Sequence, residues 1–231
     1  MRPIQRPSAA ILTTCLLAAT PGLVGASNAD VIAARLDSVD PKRTVVLSRN
    51  AGDSFQEVGS GTARFTRIGG DYSGPGANGQ FVAYCIELFQ SITWGETYDF
   101  ETRAPENSPV PGEGMGAPRA AALAELYGRF YVPSFATRDE AAAFQIAVWE
   151  LVHDDGRDLT DGLIQVQDTG LWYGIAQGWL DFLDGQGPRL ELLGMTHLLK
   201  QDHIIVIPSP AAVSLFACAG IIGLSRRRRT G

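Results

Sequence analysis

Apolar segments flanked by basic residues stand at both ends of this 231-residue chain, so only its middle can form a globular core. Near the N-terminus, Arg2 and Arg6 precede an apolar run at residues 9–19. Val24-Gly25-Ala26 then offers the small residues at which a signal peptidase cuts. This order is typical of a secretory signal peptide. We therefore predict that residues 1–26 are removed and that the rest of the chain is exported.

The C-terminal residues 208–231 consist of three parts. Pro208, Ser209 and Pro210 keep the backbone extended, because proline lacks an N–H and restricts the residue before it. Residues 211–224 are largely apolar and can enter a bilayer. The four adjacent arginines that follow stay on the cytoplasmic side of a membrane; they are Arg226, Arg227, Arg228 and Arg229. The tail therefore predicts a membrane helix with an arginine-rich end.

This tail resembles the PEP-CTERM sorting signal of Gram-negative bacteria, which an integral-membrane exosortase recognises. The Pro-Glu-Pro of that family stands here as Pro208-Ser209-Pro210, so the acidic centre is absent. The resemblance implies an exosortase as partner and an inner-membrane stage in transit. It also implies a final place on the cell surface or in the extracellular matrix. The alternative is an ordinary anchor or a buried helix, since residues 211–224 number fourteen and a spanning helix needs roughly 20.

The remaining body, residues 27–207, has 181 residues and is long enough for one domain with a substantial core. It holds 13 of the 19 Lys and Arg residues and all 25 Asp and Glu residues, which gives a formal charge of −12. Such a surface repels nucleic acid, so we expect no nucleic-acid partner. The acidic run at residues 154–158 lacks the glycine and glutamate of a calcium loop. We therefore predict neither a metal nor a cofactor.

Strand patterns occur in the first half of the body and again near the C-terminal end of the body. Residues 81–89 form the strongest of these patterns, and residues 97–102 are the predicted hairpin partner. Asp40-Pro41 is a turn signal between the first two patterns. The predicted strands are residues 30–36, 43–48, 61–68, 81–89, 97–102, 190–193 and 203–207.

Helical patterns lie between these two groups of strands, at residues 118–131, 138–152 and 171–184. Thr137 and Glu140 form a capping box at the start of the second helix. We therefore predict an α+β fold, in which a β-sandwich or barrel carries an inserted helical subdomain. The signal peptide and the C-terminal membrane helix flank this domain.

Cys85 is the only cysteine of the body, because Cys15 lies in the signal peptide and Cys218 in the tail. Exported domains usually employ cysteines in pairs, so a single thiol invites another explanation. Gln145 is the polar residue on an otherwise apolar face of the predicted helix, and burying an unpartnered amide costs about 1–3 kcal/mol. A thiol and a carboxamide in one core are the reactants of an internal thioester. The sulfur attacks the side-chain carbonyl carbon and ammonia leaves.

Three segments around these residues resemble the signature segments of bacterial thioester domains, which occur in surface adhesins. They are Tyr84-Cys85-Ile86-Glu87, Trp94-Gly95-Glu96-Thr97-Tyr98 and Phe144-Gln145-Ile146-Ala147-Val148-Trp149-Glu150. Cys85 and Gln145 match the reacting positions, whereas Phe144 replaces the threonine often found before the glutamine. The resemblance covers about residues 60–152. It implies a β-sandwich with a helical subdomain and a thioester that captures amines on a partner.

Aromatic side chains would protect such a bond by excluding water; the candidates are Tyr84, Trp94, Phe144 and Trp149. The leading hypothesis is an exosortase-sorted surface protein that attaches covalently to a partner once, without the turnover of an enzyme. One alternative is a non-reactive matrix protein of the same fold, associated with exopolysaccharide. Another is a hydrolase with a Cys85–His pair. The hydrolase is disfavoured because Cys85 is predicted to lie in mid-strand and no nucleophile-elbow sequence surrounds it.

Overall fold

A computed structural model describes residues 29–167 and 170–208 of the chain. The predicted signal peptide and the tail beyond Pro208 lie outside the described residues. Within those two ranges, no helix is both long enough and apolar enough to cross a membrane.

The described ranges contain seven strands and three α-helices. In chain order they are β1 (Val31–Ser48), β2 (Phe55–Gly69), β3 (Gln80–Cys85), β4 (Thr97–Arg103), α1 (Gly116–Phe130), α2 (Arg138–His153), β5 (Gln165–Val166), α3 (Leu171–Asp181), β6 (Glu191–His197) and β7 (Lys200–Ile207). The helices thus follow β4 and precede β6, and the α+β class predicted from the sequence is confirmed.

The strand pairings are antiparallel and close into a ring. The sheet order is β2-β3-β7-β6-β4-β1-β5, and β2 also pairs with β1. Six strands therefore surround a first apolar cluster, which includes Phe65, Phe81 and Phe100. The two-residue β5 adds to the C-terminal end of β1. This arrangement is consistent with the sandwich or barrel that the sequence predicts.

β1 continues through Asp40-Pro41, so the turn predicted there is wrong. Its pairing with β2 shifts register between Val39 and Lys42, which marks an irregularity of the β-bulge type. Proline has no N–H for the ladder and is tolerated at such a point. Gly61 of β2 faces it, and a Cβ at that glycine would lie 2.2 Å from the Pro41 carbonyl oxygen. The glycine therefore allows the two long strands to stay paired on both sides of the bulge.

β3 and β4 are not hairpin partners, and β3 ends at Cys85 rather than at Phe89. β3 pairs with β2 and β7, whereas β4 pairs with β1 and β6. The Glu87 carboxylate accepts hydrogen bonds from the N–H groups of Phe89 and Gln90. These bonds turn the chain away from a strand path immediately after β3. The two strands are thus separated because local turn chemistry and ring closure both oppose the hairpin.

α2 is the centre of a second apolar core. It contacts β1, β2, β3, α1 and α3, and its twelve consecutive residues 141–152 are all buried. The predicted N-cap is confirmed: the Thr137 hydroxyl accepts from the N–H groups of Asp139 and Glu140, both at 3.2 Å, whereas the return bond of Glu140 goes to the Thr137 hydroxyl and not to its backbone N–H. The sequence assigned only one face of this helix to the core, but the structure surrounds it on every side.

Glu150 is the unusual member of this buried helix. Its side chain is fully buried, and its carboxyl oxygens have no hydrogen-bond partner among the described residues. Burial raises the pKa of Glu150 to about 8, and the carboxylates of Asp154, Asp158 and Asp161 act in the same direction. The carboxyl is therefore neutral at pH 7, which lowers the cost of its burial. Across the described residues, no group of three or more His, Cys, Asp or Glu is arranged to hold a metal ion.

Candidate functional site

The structure brings Cys85 and Gln145 together although they are 60 positions apart in the chain. The Cys85 N–H donates to Gln145 Oε1 at 2.9 Å, and Gln145 Nε2 donates to the Cys85 carbonyl oxygen at 2.7 Å. Both residues are buried, with 6% and 1% of their surface exposed. The carboxamide thus joins α2 to the last residue of β3 by two hydrogen bonds.

The Cys85 side chain is a free, protonated thiol. Its Sγ donates to the Glu87 carbonyl oxygen at 2.6 Å. Burial raises the pKa of the thiol far above its ordinary value, and the bond to Glu87 opposes this only in part. The thiolate is the nucleophilic form of cysteine. Any attack by this sulfur therefore needs a group that takes its proton during the reaction.

The Gln145 carboxamide is held in a way that suits acyl transfer. Attack on its carbonyl carbon would place negative charge on Oε1, toward which the Cys85 N–H already points. Backbone N–H groups aimed at such an oxygen are the usual means of stabilising a tetrahedral intermediate. The same two hydrogen bonds also satisfy a buried amide that does not react. The contacts therefore accommodate both the reactive and the non-reactive hypothesis.

Both side chains line one cleft of about 400 Å³ at the junction between the ring of strands and α2. Its apolar wall includes Leu36, Val58 and Ala63, and the segment after β3 contributes Leu88 and Ile92. Among the described residues that line the cleft, the residues with full charges are the cationic Lys42 and Arg49. This cleft is therefore locally positive, although the body as a whole carries an excess of acidic residues.

The four predicted shielding aromatics divide into two pairs. Trp94 and Trp149 line the cleft; Trp149 is buried, whereas Trp94 is 57% exposed with the Lys42 ammonium 4.7 Å from its ring centroid. Tyr84 and Phe144 pack against each other, with ring centroids 4.6 Å apart, and belong to the core around α2. They support the elements that carry Cys85 and Gln145 but do not line the cleft.

Sequence reasoning missed His203, which is the register partner of Cys85 across the β3–β7 pair. Its side chain is 1% exposed and lines the same cleft. Burial lowers the pKa of His203 to about 4, so the imidazole is neutral at pH 7. The sequence placed His203 at the start of a strand, but no local pattern reveals which residue lies opposite it.

Cys85 ends β3, so its predicted mid-strand position is wrong. This removes one argument against a Cys–His hydrolase. However, cysteines that serve as catalytic nucleophiles have a lowered pKa, whereas burial raises the pKa of Cys85. The hydrolase alternative therefore gains no support from the thiol.

Of the predicted sorting residues, the structure describes only Pro208, which is exposed directly after β7. Ser209, Pro210 and the four arginines Arg226, Arg227, Arg228 and Arg229 lie outside the described residues. Comparison with models of known families, with curated proteins and with solved structures found no match. The functional argument therefore depends on the geometry around Cys85 and Gln145.

Proposed function

We propose that this protein is an exported surface protein that attaches covalently to a partner through a thioester between Cys85 and Gln145. The observation that carries the proposal is the carboxamide of Gln145, held by both backbone groups of Cys85 within an accessible cleft. In this proposal the ring of strands and the inserted helices serve as a rigid frame. The frame keeps the thiol and the acyl carbon within one small volume.

Formation of the bond requires no external reactant. The Cys85 sulfur attacks the Gln145 side-chain carbon. Negative charge develops on Oε1, which accepts a hydrogen bond from the Cys85 N–H. The carbon–nitrogen bond then breaks, and the thiol proton leaves with the nitrogen as ammonia. The products are one thioester and one ammonia molecule, so atoms and charge balance.

Attachment follows when a nucleophile on the partner, such as a primary amine, attacks the same carbon. Thiolate is a good leaving group, so Cys85 is released and an amide joins Gln145 to the partner. The glutamine is consumed in this step, which makes the protein a single-use acyl donor rather than an enzyme. The buried Trp149 and the apolar wall of the cleft would slow the competing attack by water.

The charge of the cleft favours one kind of partner. Lys42 and Arg49 line it, and both are cations. Opposite charges raise the rate of encounter and orient the partner, especially at low salt. A partner that presents anionic groups beside its nucleophile, such as an acidic exopolysaccharide with amino groups, therefore suits this cleft better than a cationic surface.

The direct test is the intact mass of the protein purified from the exporting host, compared with the mass calculated for the chain between its determined termini. We expect the wild-type protein to be lighter by one ammonia than its unmodified composition requires. Treatment with methylamine should then add one methylamine to the bonded form. The matched controls are Cys85→Ala and Gln145→Ala. Both should have their unmodified masses, and neither should react with methylamine. A wild-type mass without loss of ammonia would remove the reactive proposal.

That outcome would instead favour the non-reactive matrix protein. One observation supports this second candidate: the thiol is protonated and already donates to the Glu87 carbonyl oxygen. In this alternative the Gln145 carboxamide is only a structural clamp between α2 and β3. The surface association with exopolysaccharide would then be non-covalent.

We further propose that an exosortase sorts the protein by its tail, on the evidence of the sequence at residues 208–231. Fusing this segment to an inert exported reporter should make processing or surface delivery of the reporter dependent on exosortase. A matched fusion with the four terminal arginines replaced by serine should lose that dependence. Identical size and location of the reporter with and without exosortase would contradict the proposal.

A further inference from the structure

We infer that His203 carries the proton in the acyl-transfer steps at Cys85, because β7 places it directly across from Cys85 in the same cleft. The inference rests on the proposed thioester. The inference assigns a chemical role to His203, because packing alone does not explain why a histidine is buried at this position.

The strand register determines on which face of the sheet the side chains of Cys85 and His203 lie. Directly opposite residues of an antiparallel pair point to the same face, with Cβ atoms about 4.5–5.5 Å apart. Cys85 and His203 form such a pair, and both side chains line the cleft that also contains Gln145. The imidazole and the thiol thus share one face of the strand pair and one cleft, although the described residues show no hydrogen bond between them.

The state of the imidazole also fits this role. His203 Nδ1 is buried and makes no hydrogen bond of normal geometry among the described residues, although the Gln201 backbone lies close enough to the ring to raise its pKa against the effect of burial. Buried polar groups are normally satisfied, so a ring nitrogen without such a partner, in the same cleft as a thiol, calls for an explanation. In the neutral tautomer that carries its proton on Nε2, Nδ1 is a free acceptor. The ring is held in place edge-on by Phe65, at 4.9 Å between centroids, and by Phe100 at 6.1 Å.

The other ionisable groups near the reaction are less suitable. Lys42 and Arg49 are cations and cannot accept a proton. The Glu87 carboxylate already accepts from the N–H groups of Phe89 and Gln90. His203 is thus the neutral titratable acceptor among the described residues that line the cleft.

The proton moves as follows. His203 Nδ1 takes the proton of the Cys85 thiol as the sulfur–carbon bond forms. The imidazolium then gives the same proton to the Gln145 nitrogen as the carbon–nitrogen bond breaks, and ammonia leaves. During attachment, Nδ1 takes a proton from the attacking amine and returns it to the Cys85 sulfur. The imidazole ends each step neutral, and no further reactant is needed.

The test uses the protein as the exporting host produces it, together with two variants. His203→Phe keeps a ring against Phe65 and Phe100 but removes the proton carrier. We expect His203→Phe to unfold at or above the wild-type temperature. Its bonded fraction should fall, and methylamine should open any remaining bond at least about 100-fold more slowly, since general acid–base catalysis contributes about 10²–10⁴-fold.

His203→Ala supplies the second readout, which a purely structural role would not change. We expect added imidazole to restore part of the rate at which methylamine opens the bond in His203→Ala, and thiophene, a ring without a basic nitrogen, to restore none. Wild-type protein with imidazole serves as the control for direct attack by imidazole.

The outcomes separate the two proposals. If the wild-type protein loses ammonia and folded His203→Phe forms and opens the bond at the wild-type rate, this inference is overturned while the thioester stands. If His203→Phe fails to fold, equal restoration by imidazole and thiophene in His203→Ala overturns it instead. If the wild-type protein keeps its ammonia, the thioester proposal and this inference fall together.

Discussion

Glu125→Ala is expected to lower the free energy of unfolding by about 3–5 kcal/mol, the usual cost of removing one partner from a buried charged network. Glu125 is 1% exposed on α1. Its Oε1 accepts from Arg129 at 2.8 Å and from the Gly187 N–H at 3.2 Å, and its Oε2 accepts from the Gly185 N–H at 2.8 Å. Alanine would leave these donors without their acceptor next to a buried helix face.

The loop held by Glu125 has little freedom to find other partners. It approaches α1 so closely that a Cβ at Gly128 would lie 1.9 Å from the Pro188 carbonyl oxygen. Asp184→Ala is the matched control, because Asp184 also binds Arg129 but its side chain is 63% exposed. Exposed ion pairs contribute about 0–1 kcal/mol, so the control should lose little. Urea unfolding measures both variants, and equal losses would contradict this account of the loop.

The bonded form of the protein should unfold about 10 °C above the form opened by methylamine. A bond between Cys85 and Gln145 closes a loop of 60 positions. In the chain-entropy model, closing a loop of this size stabilises the folded state by about 4 kcal/mol. For a domain of this length, each kcal/mol shifts the unfolding temperature by roughly 2–4 °C. Opening by methylamine removes the cross-link, frees the Cys85 thiol and leaves an N-methyl amide on the Gln145 side chain.

Calorimetry before and after treatment with methylamine measures this shift, with intact mass as the check that the bond has opened. Cys85→Ala is the control, because it cannot form the bond and should unfold at one temperature in both conditions. An opened form that unfolds at the same temperature as the bonded form would show that the cross-link does not constrain the unfolded chain.

The parts of the fold that depend on local signals could be predicted from the sequence. The capping box at Thr137 and the apolar length of the following helix identified α2 within one residue of its end. The pairing of β3 with β7 could not be predicted in this way. Those strands are separated by more than a hundred residues, and their register depends on closure of the whole ring rather than on any turn.

The candidate site likewise contains some features that the sequence predicts and others that depend on the three-dimensional fold. The lone cysteine of the body and the polar residue on an apolar helix face, together with the resemblance of their segments to thioester domains, predicted that Cys85 and Gln145 meet. The sequence could not show that the carboxamide binds the backbone of Cys85 rather than another side chain. It could not indicate His203 either, since only the three-dimensional register places that ring in the same cleft as the sulfur.

The central position of β7 affects how an attached protein would bear mechanical force. β7 is hydrogen-bonded to β3 on one side and to β6 on the other, and the chain continues from it into the predicted anchor. Tension between a captured partner and that anchor would pull β7 along its own axis. The hydrogen bonds on both sides lie across that direction, so they would be stretched together in shear rather than opened one at a time like a zipper.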